Sequence, residues 1–203
     1  MRPVEEIQQV NAQLFFWQGY EPAVKTHLSS HALLTPHGWL IVDPIPLRDE
    51  PLGELLEQSP VAAIVLTSGN HERASSDFQK KCAASVVAHA GAQGEFSIAV
   101  DRWIQDGDDV CGLAAIHLPG FAAGEIALHS PTERGTLLVG DALIHLPSHG
   151  FAKLPDKYCA APKTARASLQ KLLMLSFEVM TFAHGLPIVA SAKNRLQDLL
   201  RDV

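Results

Sequence analysis

The sequence predicts a mixed α/β (α+β) fold: a four-layer αββα sandwich, with two sheets face to face and helices on both outer faces. Three observations predict it. Strand-like runs followed by helical periodicity occur twice along the chain, so each half supplies its own sheet. Val61 to Leu66 is almost wholly apolar and rich in β-branched residues, as suits a strand covered on both faces. No linker or low-complexity tract interrupts the chain, so residues 1–203 read as a single domain.

The elements follow in order. Ala12 to Trp17 is apolar and aromatic and suits a strand; Ser30 to Leu34 suits a short one. Pro36-His37-Gly38 is a turn, and Trp39 to Val42 is a buried strand closed by Asp43-Pro44. Leu52 to Gln58 reads as a short helix, and Val61 to Leu66 as the next strand. Phe78, Cys82 and Val86 then recur every fourth position, with Ala83 and Val87 beside them. That spacing predicts a helix ended by Gly91 and Gly94.

Further strands are expected at Phe96–Val100, Val110–Leu118, Glu125–His129 and Thr136–Val139, separated by Asp, Gly and Pro turns. Leu143 to Pro162 reads as irregular. Pro162 suits the first turn of a helix whose apolar face carries Leu169, Leu172, Leu173 and Phe177. Glu178–Ala183 reads as a strand. Ser191 is placed as the cap of a last helix with Leu196, Leu199 and Leu200 inward.

Composition excludes several classes. Lys and Arg number 16 against 22 Asp and Glu, a net charge of −6, without a basic cluster, so nucleic acid is not an expected partner. There is no apolar run of about 18 residues, so no membrane association is expected. The N-terminal residues lack the pattern of a signal peptide, and three scattered cysteines give no zinc signature, so a cytoplasmic setting is the expectation.

Chemistry gathers at strand ends. Asp43 follows Trp39–Val42; Asn70, His71 and Glu72 follow Val61–Leu66; Asp141 follows Leu137–Val139; His184 follows Val179–Ala183. Any one is explained as a turn former. Four such ends are a candidate pocket if the strands bring them to one edge.

With these residues in place, the chain resembles the metallo-β-lactamase superfamily from about Leu33 to Leu200. The resemblance rests on Leu40-Ile41-Val42-Asp43-Pro44, Val65-Leu66-Thr67, Leu118-Pro119-Gly120, Val139-Gly140-Asp141 and Ala183-His184-Gly185. It implies the αββα sandwich with a metal site at one edge. The family's histidine-rich motif is altered here. Ser68, Asn70 and Phe121 stand where the resemblance calls for histidines of a first metal. Glu72 stands for the second metal's aspartate and Arg73 for the histidine beside it, while Asp141 and His184 match.

The resemblance therefore implies loss of the dinuclear centre and leaves two states open. One is metal-free, with Arg73 facing the pocket and pairing with Asp141 or Glu72 in place of the missing cation; Arg73 pointing outward is the other orientation. The second state holds one divalent metal (zinc, manganese or iron) on Glu72, Asp141 and His184, with His71 as base or fourth ligand. His71, Glu72, Asp141 and His184 are the candidate catalytic residues. Asn70, Arg73, His145 and His149 are candidates for contact with a small-molecule ligand or substrate. The functions that follow are a non-catalytic binding member, or a mononuclear hydrolase of an ester, amide or phosphoester.

Overall fold

The computed structural model describes residues 1–201; the last two positions of the expected 1–203 domain lie outside the described residues. The first half contains β1 (Gln8–Gln9), β2 (Leu14–Glu21), β3 (Thr26–Thr35), β4 (Gly38–Val42), α1 (Asp49–Gln58), β5 (Val61–Leu66), α2 (Ser75–Cys82), β6 (Ser85–His89) and β7 (Arg102–Ile104). The second half contains β8 (Asp109–Val110), β9 (Leu113–His117), β10 (Ile126–Ser130), β11 (Thr136–Val139), β12 (Leu143–Leu146), β13 (Gly150–Lys153), α3 (Pro162–Leu169), β14 (Val179–Phe182) and α4 (Ala192–Arg201). The first seven strands form one sheet in chain order; the second sheet runs β14-β11-β10-β9-β8, and β12-β13 is a separate hairpin.

Side-chain alternation produces the four layers. Trp39 and Ile41 of β4 face outward onto Leu52 and Leu55 of α1 and Phe78 of α2. Leu40 and Val42 face inward and share a core with Leu113, Ile126, Leu128 and Leu138 of the other sheet. On the far side, Leu137, Val139, Met180 and Phe182 pack on Leu169 of α3 and on Leu196 and Leu200 of α4. Helices, two sheets and helices are thus stacked as the apolar pattern predicts.

Several boundaries differ from expectation. The helix expected to run through Val86 stops at Cys82, where Ala83 adopts φ +50°. Val86 and Val87 belong instead to β6, parallel to β5 and buried on both faces. A short apolar run reads equally as buried strand or buried helix, and sheet pairing decides it. Phe96–Val100 forms no strand; Phe96, Ile98 and Val100 pack from an irregular segment onto the outer core. The single strand expected over Val110–Leu118 is a hairpin, folded at Cys111 (φ +55°) and Gly112 (φ +89°). The stretch expected to be irregular contains β12 and β13. Phe177 lies beyond α3 but joins the same core.

Parallel pairing positions the chemistry. β4, β5 and β6 run parallel, so their carboxyl ends share one edge of the first sheet. β11 and β14 are parallel in the second sheet. The two edges are tied by backbone bonds from Ser29 N to Ala183 O (2.8 Å) and from Ile126 N to Thr67 O (2.8 Å).

Candidate metal site

The loops after β4, β5, β11 and β14 meet where the sheets are tied. Asp43 leaves β4 at φ +49° and turns its carboxylate under the next loop, where Oδ1 accepts the Thr67 amide (2.8 Å) and Oδ2 the Thr67 hydroxyl. Oδ2 also meets His71 Nδ1 at 2.9 Å. The other face of the same imidazole reaches the second sheet: His71 Nε2 lies 3.1 Å from Asp141 Oδ1. His184 Nε2 reaches that same oxygen, also at 3.1 Å, and its Nδ1 donates to the His27 carbonyl at 3.0 Å. One ligand atom from each of His71, Asp141 and His184 falls within a 4.8 Å cluster. The His71 side chain is 3% exposed, whereas Asp141 and His184 are 14% and 19% exposed, so the cluster opens on their side.

The proton inventory of this cluster is informative. The distal nitrogen of each imidazole is held by an acceptor, Asp43 for His71 and the His27 carbonyl for His184. Each Nε2 then faces Asp141 Oδ1. Without a cation, each contact needs a proton, carried by the ring nitrogen or by Asp141. A single cation among the three atoms replaces both protons. Ligands about 2.0–2.2 Å from a tetrahedral ion lie about 3.3–3.6 Å from one another, against two contacts of 3.1 Å and a third spacing within 4.8 Å here. Outer acceptors on both rings are the usual means of fixing the tautomer of a metal-binding histidine.

Electrostatics bind the cluster to its surroundings. Burial and the Arg73 charge oppose protonation of His71, but Asp43 and Asp141 outweigh them and push its pKa up to about 10. Burial alone would raise Asp141; His71 and His184 hold it well below the usual carboxylate range. Glu125, fully buried beside this charge, is pushed up to about 8 by burial and by Asp141. His31 is driven down to about 3, chiefly by burial.

The pH dependence of the metal-free protein follows. His71 and Glu125 have raised folded pKa values, so their stabilisation is present at low pH and is lost as pH rises through about 10 and about 8. The depressed His31 acts oppositely, stabilising above about 6.5 and losing that contribution as pH falls toward about 3. Between about 4.5 and 6.5 Glu125 and His31 offset one another; above 6.5 the two raised groups act together. Urea midpoints measured with chelator present should therefore fall steadily from pH 6.5 to 9. A flat or rising profile over that range contradicts the assignment.

The site corrects two expectations. Glu72 does not join Asp141 and His184. Its carboxylate accepts the amide and hydroxyl of Ser97, because successive side chains of the loop diverge and Glu72 points outward between the inward His71 and Arg73. His71 takes the third place in the cluster. Arg73 faces inward but pairs with neither Asp141 nor Glu72. At φ +43° its guanidinium donates to backbone carbonyls, Ser29 O at 2.8 Å and Asp43 O at 3.1 Å, with Ala183 O at 3.5 Å. It thereby joins β3, the end of β4 and the end of β14.

The remaining candidates take varied positions. Asn70 is exposed on the loop. Ser68 is buried, its hydroxyl 3.4 Å from the Asn70 amide. Phe121 is 3% exposed in the core beneath α3 and α4. His145 is engaged in structure: Nδ1 lies 2.7 Å from Leu186 O, its backbone N donates to His184 O at 3.0 Å, and its ring packs on Phe151 and Phe182. A Cβ on Gly185, at φ +108°, would stand 1.9 Å from His145 O, so only glycine lets this loop close behind His184. His149 is exposed at the tip of the β12–β13 hairpin, bonded to Ser148 Oγ at 2.7 Å. Asp43 was visible in the sequence as a strand end, but its contact with His71 was not, and Glu125 was read as the plain start of a strand.

Comparison with known proteins agrees with this architecture. The chain is similar over 98% of its length to 99% of a metallo-β-lactamase from Pontibacter korlensis, at 19% identity and a TM-score of 0.72. It is similar to TTHA1623, whose structure was determined in a di-iron-bound form, at 21% identity and a TM-score of 0.69, covering 92% of this chain and all of that one. DIM-1 metallo-β-lactamase exposed to ceftazidime aligns with a TM-score of 0.78 at 10% identity, over 99% of this chain and 98% of that one. These identities carry the fold alone. No curated protein matches the sequence. No described helix is long and apolar enough to cross a membrane. The family profile described as the metallo-beta-lactamase superfamily matches residues 8–203, and with the αββα sandwich and its strand-end cluster this establishes that the chain belongs to the metallo-β-lactamase superfamily.

Proposed function

We propose that this protein has lost the dinuclear centre of its superfamily and binds one divalent metal, zinc, manganese or iron, on His71, Asp141 and His184, to hydrolyse an ester, amide or phosphoester of a small molecule. The observation that carries the reading is the convergence of His71 Nε2, Asp141 Oδ1 and His184 Nε2, with both distal ring nitrogens held by acceptors. Two imidazoles and a carboxylate suit any of these ions and leave positions open. Ser68, Asn70 and Phe121 supply no imidazole for a first metal, and Phe121 is turned into the core.

When bound, such an ion supplies Lewis acidity toward a substrate oxygen and acidifies water. The chain does the rest. Asp43 fixes the His71 tautomer, the His27 carbonyl fixes His184, and Arg73 locks the backbone of β3 to the ends of β4 and β14. Substrate approaches from the exposed side of Asp141 and His184. The resemblance to β-lactamases assigns no β-lactam substrate.

A second reading is favoured by one feature. His71 bonded to a carboxylate at each nitrogen is a cation in itself, and with Arg73 it balances Asp43 and Asp141 without a metal. In that state the protein is a non-catalytic binder of a small polar molecule. Hydrolysis assays with chromogenic esters, anilides and phosphodiesters separate the two. Metal-loaded wild type should turn over at least one class, Asp141→Ala and chelated wild type none, and His149→Ala should match wild type. Turnover that survives chelation or Asp141→Ala contradicts the hydrolase reading, as does absence of turnover in every class by metal-loaded protein.

A further inference from the structure

Glu125 opens β10's segment and is fully buried, an uncommon place for a carboxyl group. Its Oε1 accepts the backbone N–H of Ala142 at 2.9 Å, the residue next to Asp141. Its Oε2 has no hydrogen-bond partner among the described residues. The same turn is held from its other side by the Leu154 amide, which donates to Ala142 O at 3.1 Å. Gly140 completes the arrangement, since a Cβ there would stand 2.6 Å from both Glu125 Oε1 and Thr67 Oγ1. The carboxyl of Glu125 and the hydroxyl that bonds Asp43 are therefore packed against one bare piece of backbone, directly before Asp141.

We propose that Glu125 is a positioning residue: through the Ala142 amide it sets the turn that carries Asp141, so that one carboxylate oxygen reaches both His71 and His184. From the second sheet Ala183 N also reaches the Gly140 carbonyl, at 3.4 Å, but it is Glu125 that holds the Ala142 amide. The role in the cluster stands on the geometry alone; its consequence for a bound ion rests on the one-metal reading above. Outer partners of this kind change metal affinity by about 10–100-fold when removed. Glu125 does so at one remove, by holding the backbone of the ligand rather than its side chain. Its neutral form, favoured by burial, also spares Asp141 a second negative charge beside it.

The test compares wild type with Glu125→Gln, which keeps an acceptor for the Ala142 amide, and Glu125→Met, which keeps the shape but offers no such acceptor. Zinc affinity is read by competition with a chromogenic chelator, and geometry by the visible spectrum of the cobalt(II) form. Glu125→Gln should bind zinc within about threefold of wild type with an unchanged cobalt spectrum. Glu125→Met should bind about 10–100-fold more weakly, with an altered spectrum. The metal-free proteins are read by the ring-nitrogen NMR signals of His71 and His184 and by exchange of the Ala142 amide. Both should move in Glu125→Met and hold in Glu125→Gln. If wild type binds no metal, the one-metal reading fails, and these metal-free signals still decide the positioning role. Wild-type ring signals in Glu125→Met, or a Glu125→Gln variant as disturbed as Glu125→Met, would overturn the proposal. So would a loss of stability in Glu125→Met that leaves both the ring signals and the cobalt spectrum unmoved.

Discussion

Replacing Asp43 with alanine should lower folding stability by about 3–5 kcal/mol, the cost of removing one partner of a buried ion pair, and weaken metal binding in the same variant. Asp43 is 1% exposed and its two carboxylate oxygens serve three donors: the Thr67 amide, the Thr67 hydroxyl and His71 Nδ1. Alanine leaves the Thr67 amide buried without an acceptor. It also leaves the His71 ring free to turn and removes a charge that supports its protonation. Asp43→Asn separates the effects. It keeps an acceptor for Thr67 but lacks the charge, so it should be milder in stability while still lowering the pKa of His71. Chemical denaturation and His71 NMR titration measure the two. An Asp43→Ala variant within about 0.5 kcal/mol of wild type, the range of an ordinary surface change, would show that the hub has no energetic role.

Arg73→Ala should be of similar size, about 3–6 kcal/mol, for a different reason: two hydrogen bonds from a charged donor, worth about 1.5–3 kcal/mol each, are lost. The guanidinium carries no direct salt bridge. It is held by the carbonyls of Ser29 and Asp43, with Ala183 O at 3.5 Å, across the junction of the two sheets. Its charge lowers the pKa of Asp43 after the larger effect of His71. Alanine removes the charge, the bonds and the bridge between sheets together. Lysine keeps the charge but lacks the planar fork that reaches several carbonyls, so Arg73→Lys should recover only part of the loss. Urea unfolding of the three proteins is the measurement. Equal stability of Arg73→Lys and wild type would mean that the charge alone matters and the backbone staple does not.

The comparison of sequence with structure is instructive residue by residue. The run Val61–Leu66 and the strand Trp39–Val42 were legible because burial on both faces leaves a continuous apolar signal. Asp43, His71, Asp141 and His184 were legible as strand ends, and parallel pairing does gather them. Glu72 was misplaced because motif position gives the order of residues along a loop and not the direction of each side chain. The carbonyl partners of Arg73 are distant in sequence and left no local trace. β6 was missed as a strand because its short apolar run, Val86 to Ala88, after a helix continues the helical count. Glu125 left one signal, a charged residue directly before the buried apolar run Ile126–Leu128.

The most direct test of the central claim is metal stoichiometry. Protein purified without chelator, loaded in turn with zinc, manganese and iron(II) and freed of excess ion, is analysed for metal per chain, alongside Asp141→Ala. One equivalent of at least one of these ions in wild type, absent from Asp141→Ala and unchanged in Glu72→Ala, is the predicted result, since Glu72 bonds Ser97 and stands apart from the cluster. Two equivalents per chain, or none with every ion, would contradict a single site on His71, Asp141 and His184.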